Sequence, residues 1–264
     1  MKTILLSILV LSGLGALFGA ILSFASKIFY VEVDPKVQAV RDCLAGANCG
    51  GCGYPGCDGY AAAVAAGKAP INRCVAGGAE TTAQVAKVMG VDAEAAEKMV
   101  AFVPCSGTNG HAVPRFNYNG PKDCRAAMLF GGKSSMQCTF ACIGLGNCAK
   151  ACPFDAMHVV DGVAQVDRSK CVGCGSCVEA CPKNIVKLIP ESQKVVVGCG
   201  NKDKGAAVIK ICDYGCIGCM KCARECPAEA IVVRDNLAQI DSEKCVQCGH
   251  CADICPRHII KSFF

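Results

Sequence analysis

Cysteine is the residue whose abundance and spacing can do chemistry in this chain, at 25 of 264 residues. Three runs share one pattern: Cys171-x2-Cys174-x2-Cys177-x3-Cys181, Cys216-x2-Cys219-x2-Cys222-x3-Cys226 and Cys245-x2-Cys248-x2-Cys251-x3-Cys255, each followed by proline. Two residues between thiolates let neighbouring side chains in a tight loop converge on one metal centre, and the third cysteine completes a three-point seat. In runs of this kind the fourth cysteine ligates the other [4Fe-4S] cluster of a pair. The proline after it fixes φ and turns the chain out of its own loop. Structural zinc is the competing occupant, but zinc sites use separated cysteine pairs and are redox-silent.

A fourth run, Cys138-x3-Cys142-x5-Cys148-x3-Cys152-Pro153, reads as a stretched version with Gly144 and Gly146 in the added loop. Crossed ligation then predicts four sets of ligands. Cys138, Cys142 and Cys148 go with Cys181, and Cys171, Cys174 and Cys177 with Cys152. Cys216, Cys219 and Cys222 go with Cys255, and Cys245, Cys248 and Cys251 with Cys226. Upstream, Cys49-x2-Cys52-x4-Cys57-x16-Cys74 forms a separate unit whose glycines let backbone N–H groups approach cluster sulfurs. The expectation is five [4Fe-4S] clusters on these twenty cysteines, all serving as iron ligands. Cys43, Cys105, Cys124, Cys199 and Cys212 are left over. They read most simply as small buried apolar groups or loop thiols, with a replacement ligand, a hydrogen-bond donor to a cluster or a redox pair as alternatives. They are not assigned as ligands.

The elements that position these cysteines are short. PFDAMHVVDGVAQVDRSK and PAEAIVVRDNLAQIDSEK fill equivalent connectors, and each suggests a hairpin turning at Asp161-Gly162 or Asp235-Asn236. Residues 78–103, rich in Ala, Val, Glu and Lys, read as one or two helices interrupted near Gly90. Residues 104–133 read as loop or linker. The resulting α+β chain divides into an anchor over 1–26, a four-iron-four-sulfur domain over 32–92 and a helix and linker over 93–133. A ferredoxin-like two-cluster module over 134–190, a linker over 191–211 and a second module over 212–264 follow.

The anchor is the uncharged stretch Thr3 to Ser26, about 36 Å long as a helix against a hydrocarbon core of about 30 Å. Ser23-Phe24-Ala25 could pass as a signal-peptide cleavage site, but a signal core is only about 7–15 residues, and an oxidising destination is a poor place for free thiolates. Lys27, Lys36 and Arg41 follow the segment and favour a single pass with the cysteine-rich part on the cytoplasmic side of the inner membrane.

The formal charge of +5 gives no case for nucleic acid, because five clusters at −2 each would bring it to about −5. With no Trp and only 10 Phe and 5 Tyr, large apolar side chains cannot fill much of the interior. The four histidines do not cluster, and no nucleotide fingerprint, catalytic triad or P-loop is present.

The order of an N-terminal apolar helix, a C-x2-C-x4-C-x16-C unit over Cys49 to Cys74 and ferredoxin-like runs from Cys138 to Cys255 resembles the iron-sulfur B subunit of the Rnf ion-translocating electron-transport complexes. The likeness covers nearly the whole chain, although many members carry one ferredoxin pair where this chain carries two. It implies a cytoplasmic-facing relay exchanging electrons with soluble ferredoxin and with other membrane and flavin-bearing subunits, in a translocase coupling ferredoxin and NAD to Na+ or H+ movement. Lipid would contact residues 3–26. The ion path would lie elsewhere, since the apolar helix has no ionisable residue between Lys2 and Lys27. A membrane-tethered ferredoxin subunit of a hydrogenase or dehydrogenase, and a zinc-binding scaffold, are the alternatives on the residues alone.

Overall fold

The computed structural model describes residues 2–29, 34–92, 97–131 and 134–264. Helix α1 (Lys2–Ile28) is uncapped by charge except for Lys27 in its last turn, and it leaves Leu9, Leu11, Leu22 and Phe24 exposed. Its residues Ile8–Ile28 are long and apolar enough to cross a membrane.

Three helices make the next unit: α2 (Pro35–Cys43), α3 (Gly56–Ala65) and α4 (Gly78–Met89). Asp34 caps α2 by accepting from the Lys36 N–H at 2.8 Å, with Pro35 pre-set for the first turn. Helix α4 ends where Gly90 takes the left-handed conformation, φ 70°. Val40, Tyr60, Val64 and Val85 close the core. Tyr60 donates to the Pro70 carbonyl at 2.8 Å and accepts from the Arg73 N–H at 3.1 Å, which fixes the segment entering Cys74.

Strand β1 (Met99–Phe102) and helix α5 (Cys124–Gly131) precede the first module. That module runs through α6 (Asn147–Lys150), β2 (Met157–Val160), β3 (Val163–Val166), α7 (Ser176–Ala180) and β4 (Lys187–Pro190). The second begins with β5 (Val195–Val197) and α8 (Gly205–Ile211), then α9 (Lys221–Arg224), β6 (Ile231–Arg234), β7 (Leu237–Ile240), α10 (His250–Asp253) and β8 (Ile260–Ser262). Both hairpins, β2–β3 and β6–β7, turn where the sequence places them. Asp161 and Gly162 have φ 47° and 79°, and Asp235 and Asn236 have 51° and 60°, the two left-handed residues of a type I′ turn.

The stretches around the modules differ from expectation. Residues 99–102 are a strand, not a helix, because Val100, Ala101 and Phe102 are buried against β4 in antiparallel register, Met99↔Pro190 to Phe102↔Lys187. Residues 93–96 of the expected helix lie outside the described residues. The expected linkers hold α5 in one case, and β5 with α8 in the other, and β5 pairs antiparallel with β8. Each module is therefore closed by pairing a strand before it with the strand that follows its last cysteine, and such long-range pairing overrides local propensity.

The cysteine loops pack so closely on the hairpins that side chains are excluded at particular points. Gly144 has φ +78°, and a Cβ there would collide with the Gly162 carbonyl, whereas Gly67, φ +68°, faces open space. We expect Gly144→Ala to cost about 2 kcal/mol or more and Gly67→Ala about 1–2 kcal/mol. Anaerobic thermal melts of the cluster-loaded protein would therefore show the larger fall in Tm for Gly144→Ala; equal falls would mean that the loop and hairpin are not in contact.

Candidate iron-sulfur centres

Five cavities are each lined by four cysteines. The first, in the small helical unit, has Cys49, Cys52, Cys57 and Cys74. Asn48 beside it accepts from the Cys57 N–H at 2.8 Å, tying the loop to the start of α3. The second has Cys171, Cys174 and Cys177 with Cys152, and the third has Cys216, Cys219 and Cys222 with Cys255. Around Cys251 lie the thiols of Cys222, Cys245, Cys248 and Cys226, close enough to couple with it.

The stretched run is placed differently. Cys142, Cys148 and Cys181 share a cavity, but the fourth cysteine there is Cys124, from the start of α5. Cys138 lines another cavity, with Cys105, Cys199 and Cys212. The local reason is visible when CIGLGNCAKAC over 142–152 is laid on CVGCGSCVEAC over 171–181: spacing and glycines coincide, and Leu145 stands where Cys174 stands. The run is a regular one lacking its second thiol, not an expanded one. Leu145 packs with Ile143, Cys124 and Ala127, drawing α5 onto the loop. Asn147 completes the graft: its Oδ1 accepts from the Cys124 N–H at 2.8 Å and its Nδ2 donates to Asp123 Oδ2 at 3.2 Å. Asp123 also accepts from the N–H groups of Arg125 and Ala126, and the bond from Ala126 above all lowers its carboxyl pKa.

Four of the five cysteines left unassigned by spacing therefore line cavities, and aligning the runs on their glycines is the signal that finds the gap at Leu145. Cys43 does not join them; its thiol donates to the Ala39 carbonyl at 3.2 Å inside α2.

None of the 25 cysteines is in a disulfide. Burial pushes the pKa of Cys142 and Cys177 up to about 12, and those of Cys148, Cys199, Cys222 and Cys251 up to about 11, with neighbouring thiolates adding to the effect. Such groups are neutral at pH 7 without metal, so loading a metal centre must displace their protons. Among the described residues no three His, Cys, Asp or Glu side chains are close enough to hold a single ion. A tetrahedral zinc about 2.3 Å from each sulfur needs such a grouping, whereas four thiols spread around one cavity suit a multi-iron core. Backbone N–H groups point at sulfurs as well, from Ala101 to Cys171 at 3.3 Å and from Ala156 to Cys152 at 3.4 Å.

Fold and site together define an iron-sulfur protein of the ferredoxin type with several centres. Family models agree: one described as "Putative Fe-S cluster" matches residues 44–76, a "4Fe-4S binding domain" matches 140–158 and 164–187, and a "4Fe-4S dicluster domain" matches 215–259. The B subunit of a Na(+)-translocating ferredoxin:NAD(+) oxidoreductase complex from Acetobacterium woodii is 47% identical over 98% of this chain and 78% of its own length. The B subunit of an ion-translocating oxidoreductase complex from Methanosarcina acetivorans is 42% identical over 97% of both chains. The B subunit of a proton-translocating ferredoxin:NAD(+) oxidoreductase complex from Clostridium ljungdahlii is 45% identical over 99% of this chain and 93% of its own. The chain belongs to this family, the iron-sulfur B subunits of the ion-translocating oxidoreductase (Rnf) complexes.

Proposed function

We propose that this chain is the membrane-anchored electron carrier of a complex that moves electrons between ferredoxin and NAD and couples that flow to ion translocation. On this reading its [4Fe-4S] clusters are held by Cys49, Cys52, Cys57 and Cys74; by Cys124, Cys142, Cys148 and Cys181; and by Cys152, Cys171, Cys174 and Cys177. Two more are held by Cys216, Cys219, Cys222 and Cys255, and by Cys226, Cys245, Cys248 and Cys251. The clusters supply reversible one-electron transfer.

The observation that carries this reading is the contiguity of the four-cysteine seats. Gly51, in the first, lies so close to the Cys174 backbone that a Cβ would stand 2.8 Å from the Cys174 carbonyl oxygen. Cys148 lies near enough to both Cys181 and Cys177 to couple with them electrostatically, and Cys251 near enough to Cys222. The middle is wrapped and one end is open: Cys138, Cys142 and Cys148 are buried, while Cys219 and Cys248 are exposed. That is the arrangement of an insulated conductor with a docking end. Helix α1 supplies the anchor, and because its interior carries no ionisable side chain the ion crosses through other subunits. Ferredoxin, the membrane subunits and flavin-bearing subunits are the partners this role requires, with the clusters on the cytoplasmic side, where Lys27, Lys36 and Arg41 hold the end of the helix.

Two experiments test it. A variant lacking residues 1–26 should leave the membrane fraction yet contain as much iron per chain as the full-length protein, since every proposed ligand lies beyond Cys43 and α1 has no buried face. Iron-poor truncated protein would overturn the assignment of α1 as an anchor only. In anaerobically purified full-length variants, Cys142→Ala, Cys181→Ala and Cys124→Ala should perturb one and the same paramagnetic resonance signal, and Cys152→Ala the signal lost in Cys174→Ala. A match of Cys181→Ala with Cys174→Ala would mean that each run holds its own cluster.

A further inference from the structure

The two hairpin connectors run into matching turns ahead of equivalent seats. The Asp167 carbonyl accepts from the Cys171 N–H at 3.1 Å and its Oδ1 from the Ser169 N–H at 3.0 Å; the Asp241 carbonyl accepts from the Cys245 N–H and its Oδ1 from the Glu243 N–H, both at 3.0 Å. The backbone is the same and the charge is not. Asp167-Arg168-Ser169-Lys170 is net positive, whereas Asp241-Ser242-Glu243-Lys244 is net negative. We infer that the Arg168 guanidinium is a fixed counter-charge to the cluster of Cys152, Cys171, Cys174 and Cys177 and raises its midpoint potential, a device that the duplicated seat of Cys226, Cys245, Cys248 and Cys251 lacks. The inference rests on the iron-sulfur reading above and adds to it the residue that biases one electron step.

The side chain is held in place, unlike an ordinary surface cation. Its Nη2 donates to the carbonyls of Glu191 at 2.9 Å and Gln193 at 3.1 Å, in the segment between β4 and β5. Its guanidinium carbon lies 4.6 Å from the centre of the Phe263 ring, just beyond β8. A planar, permanently charged guanidinium suits this combined stacking and donation, which an ammonium group does not reproduce.

That placement leaves a charge without an equal partner. Nη1 is buried and has no hydrogen-bond partner among the described residues, a costly state for a cationic donor. Burial lowers the Arg168 pKa, and the groups that oppose this are Glu191 and Cys171, each close enough to couple with it. The Glu191 carboxylate is already engaged by Lys98 at 2.7 Å. The thiolate side of the balance is therefore the cluster at Cys171, which with four thiolates carries about −2. Reduction adds a further negative charge, and a desolvated cation beside the seat stabilises the reduced form more than the oxidised one.

Position explains the use of such a charge. The seat beside Arg168 is the one on which the small helical unit rests, since Gly51 packs against the Cys174 backbone. Its counterpart in the second module ends in the exposed Cys248. A cation at the inner seat and its absence at the outer one favour an electron that leaves the exposed end and gathers beside the Cys49–Cys74 unit. Glu243 pushes the same way, but it is exposed and screened by water, so Arg168 carries the effect.

The test uses anaerobically purified full-length protein, with iron counted per chain and midpoint potentials taken from redox titrations followed by paramagnetic resonance. Arg168→Gln keeps an N–H donor for the two carbonyls but loses the charge. It should retain wild-type iron and move one signal, that lost in Cys174→Ala, to a more negative midpoint potential, leaving the signal lost in Cys248→Ala in place. Arg168→Met, which keeps the apolar stem, repeats the measurement should Arg168→Gln not fold. Arg168→Lys preserves the charge and should recover most of the shift, and Phe263→Leu, which removes the ring alone, should leave the potential at its wild-type value. Unmoved potentials in iron-replete Arg168→Gln would overturn the inference. So would an equal shift in Arg168→Lys or in Phe263→Leu, because packing at this boundary and not charge would then be the cause. Each of these results leaves the iron-sulfur reading standing, whereas wild-type protein with little iron and no such signal would overturn both.

Discussion

A buried thiolate is tolerable only if something shares its charge, and that constraint shapes the whole soluble part of this protein. The buried clusters of side chains in the two modules are built as much from cysteine as from valine and isoleucine, with Cys105, Cys138, Cys142, Cys148, Cys171 and Cys177 in one and Cys199, Cys216, Cys222, Cys251 and Cys255 in the other. Sulfur atoms ringed around a common centre cannot close-pack on one another as valine and isoleucine do, so these interiors lack the dispersion contacts that hold ordinary ones together. Iron and sulfide supply both the missing volume and the missing counter-charge. Cluster binding is then part of the folding free energy, as it is in small zinc domains.

The backbone is bent to serve the same end. A left-handed residue stands just ahead of the helix carrying the third thiol of each run: Gly146, Gly175, Met220 and Gly249, with φ between 61° and 83°. A second follows each Cys-Pro, at Asp155, Asn184, Glu229 and His258, with φ near 50°. Asn184, Glu229 and His258 donate their N–H groups to the carbonyl of the cysteine three residues earlier, closing a turn with proline at its second position. These turns reverse the chain immediately after the fourth thiol and send it into the next hairpin or closing strand. Left-handed backbone in a non-glycine residue costs energy, so its recurrence at matching points shows that geometry around the sulfurs outweighs local preference.

What was legible in the sequence was whatever is specified locally. Asp161-Gly162 and Asp235-Asn236 announce their turns because only a few residues accept φ > 0 twice in succession, and the spacing of the regular runs is itself a statement about loop geometry. What was illegible depends on contacts between distant segments. Strand β1 looks helical in a window of Ala, Glu and Lys, and only β4, nearly ninety residues on, makes it a strand. Cys124 cannot be paired with Cys142 and Cys148 by counting, since nothing but the packing of Leu145 against α5 brings it there. The stretched run shows the same limit: Cys138 sits at a plausible interval from Cys142 but lines a different cavity, and interval alone does not say which way a side chain faces.

Duplication of a two-cluster ferredoxin unit would by itself give two separate bodies, each conducting only within itself. The segments that do not repeat the run pattern, 104–133 and 191–211, are what tie the pair together. One delivers α5 and sets Cys124 in the cavity lined by Cys142, Cys148 and Cys181. The other delivers β5, Cys199 and the buried Asn201. Val113 donates its N–H to the Ile211 carbonyl at 2.9 Å and Asp213, just beyond the second segment, donates to the His111 carbonyl at 2.8 Å, a bridge of backbone hydrogen bonds between the two stretches. Arg168 crosses the boundary too, donating to the carbonyls of Glu191 and Gln193 and lying 4.6 Å from the centre of the Phe263 ring. Rigid contact at this boundary matters more than at any other surface of the protein, because electron transfer between centres depends on their separation and each module is already fixed internally by its own clusters. Sequence that looks like connecting material, poor in motif and rich in glycine and asparagine, is therefore where this chain differs in kind from two ferredoxins joined end to end.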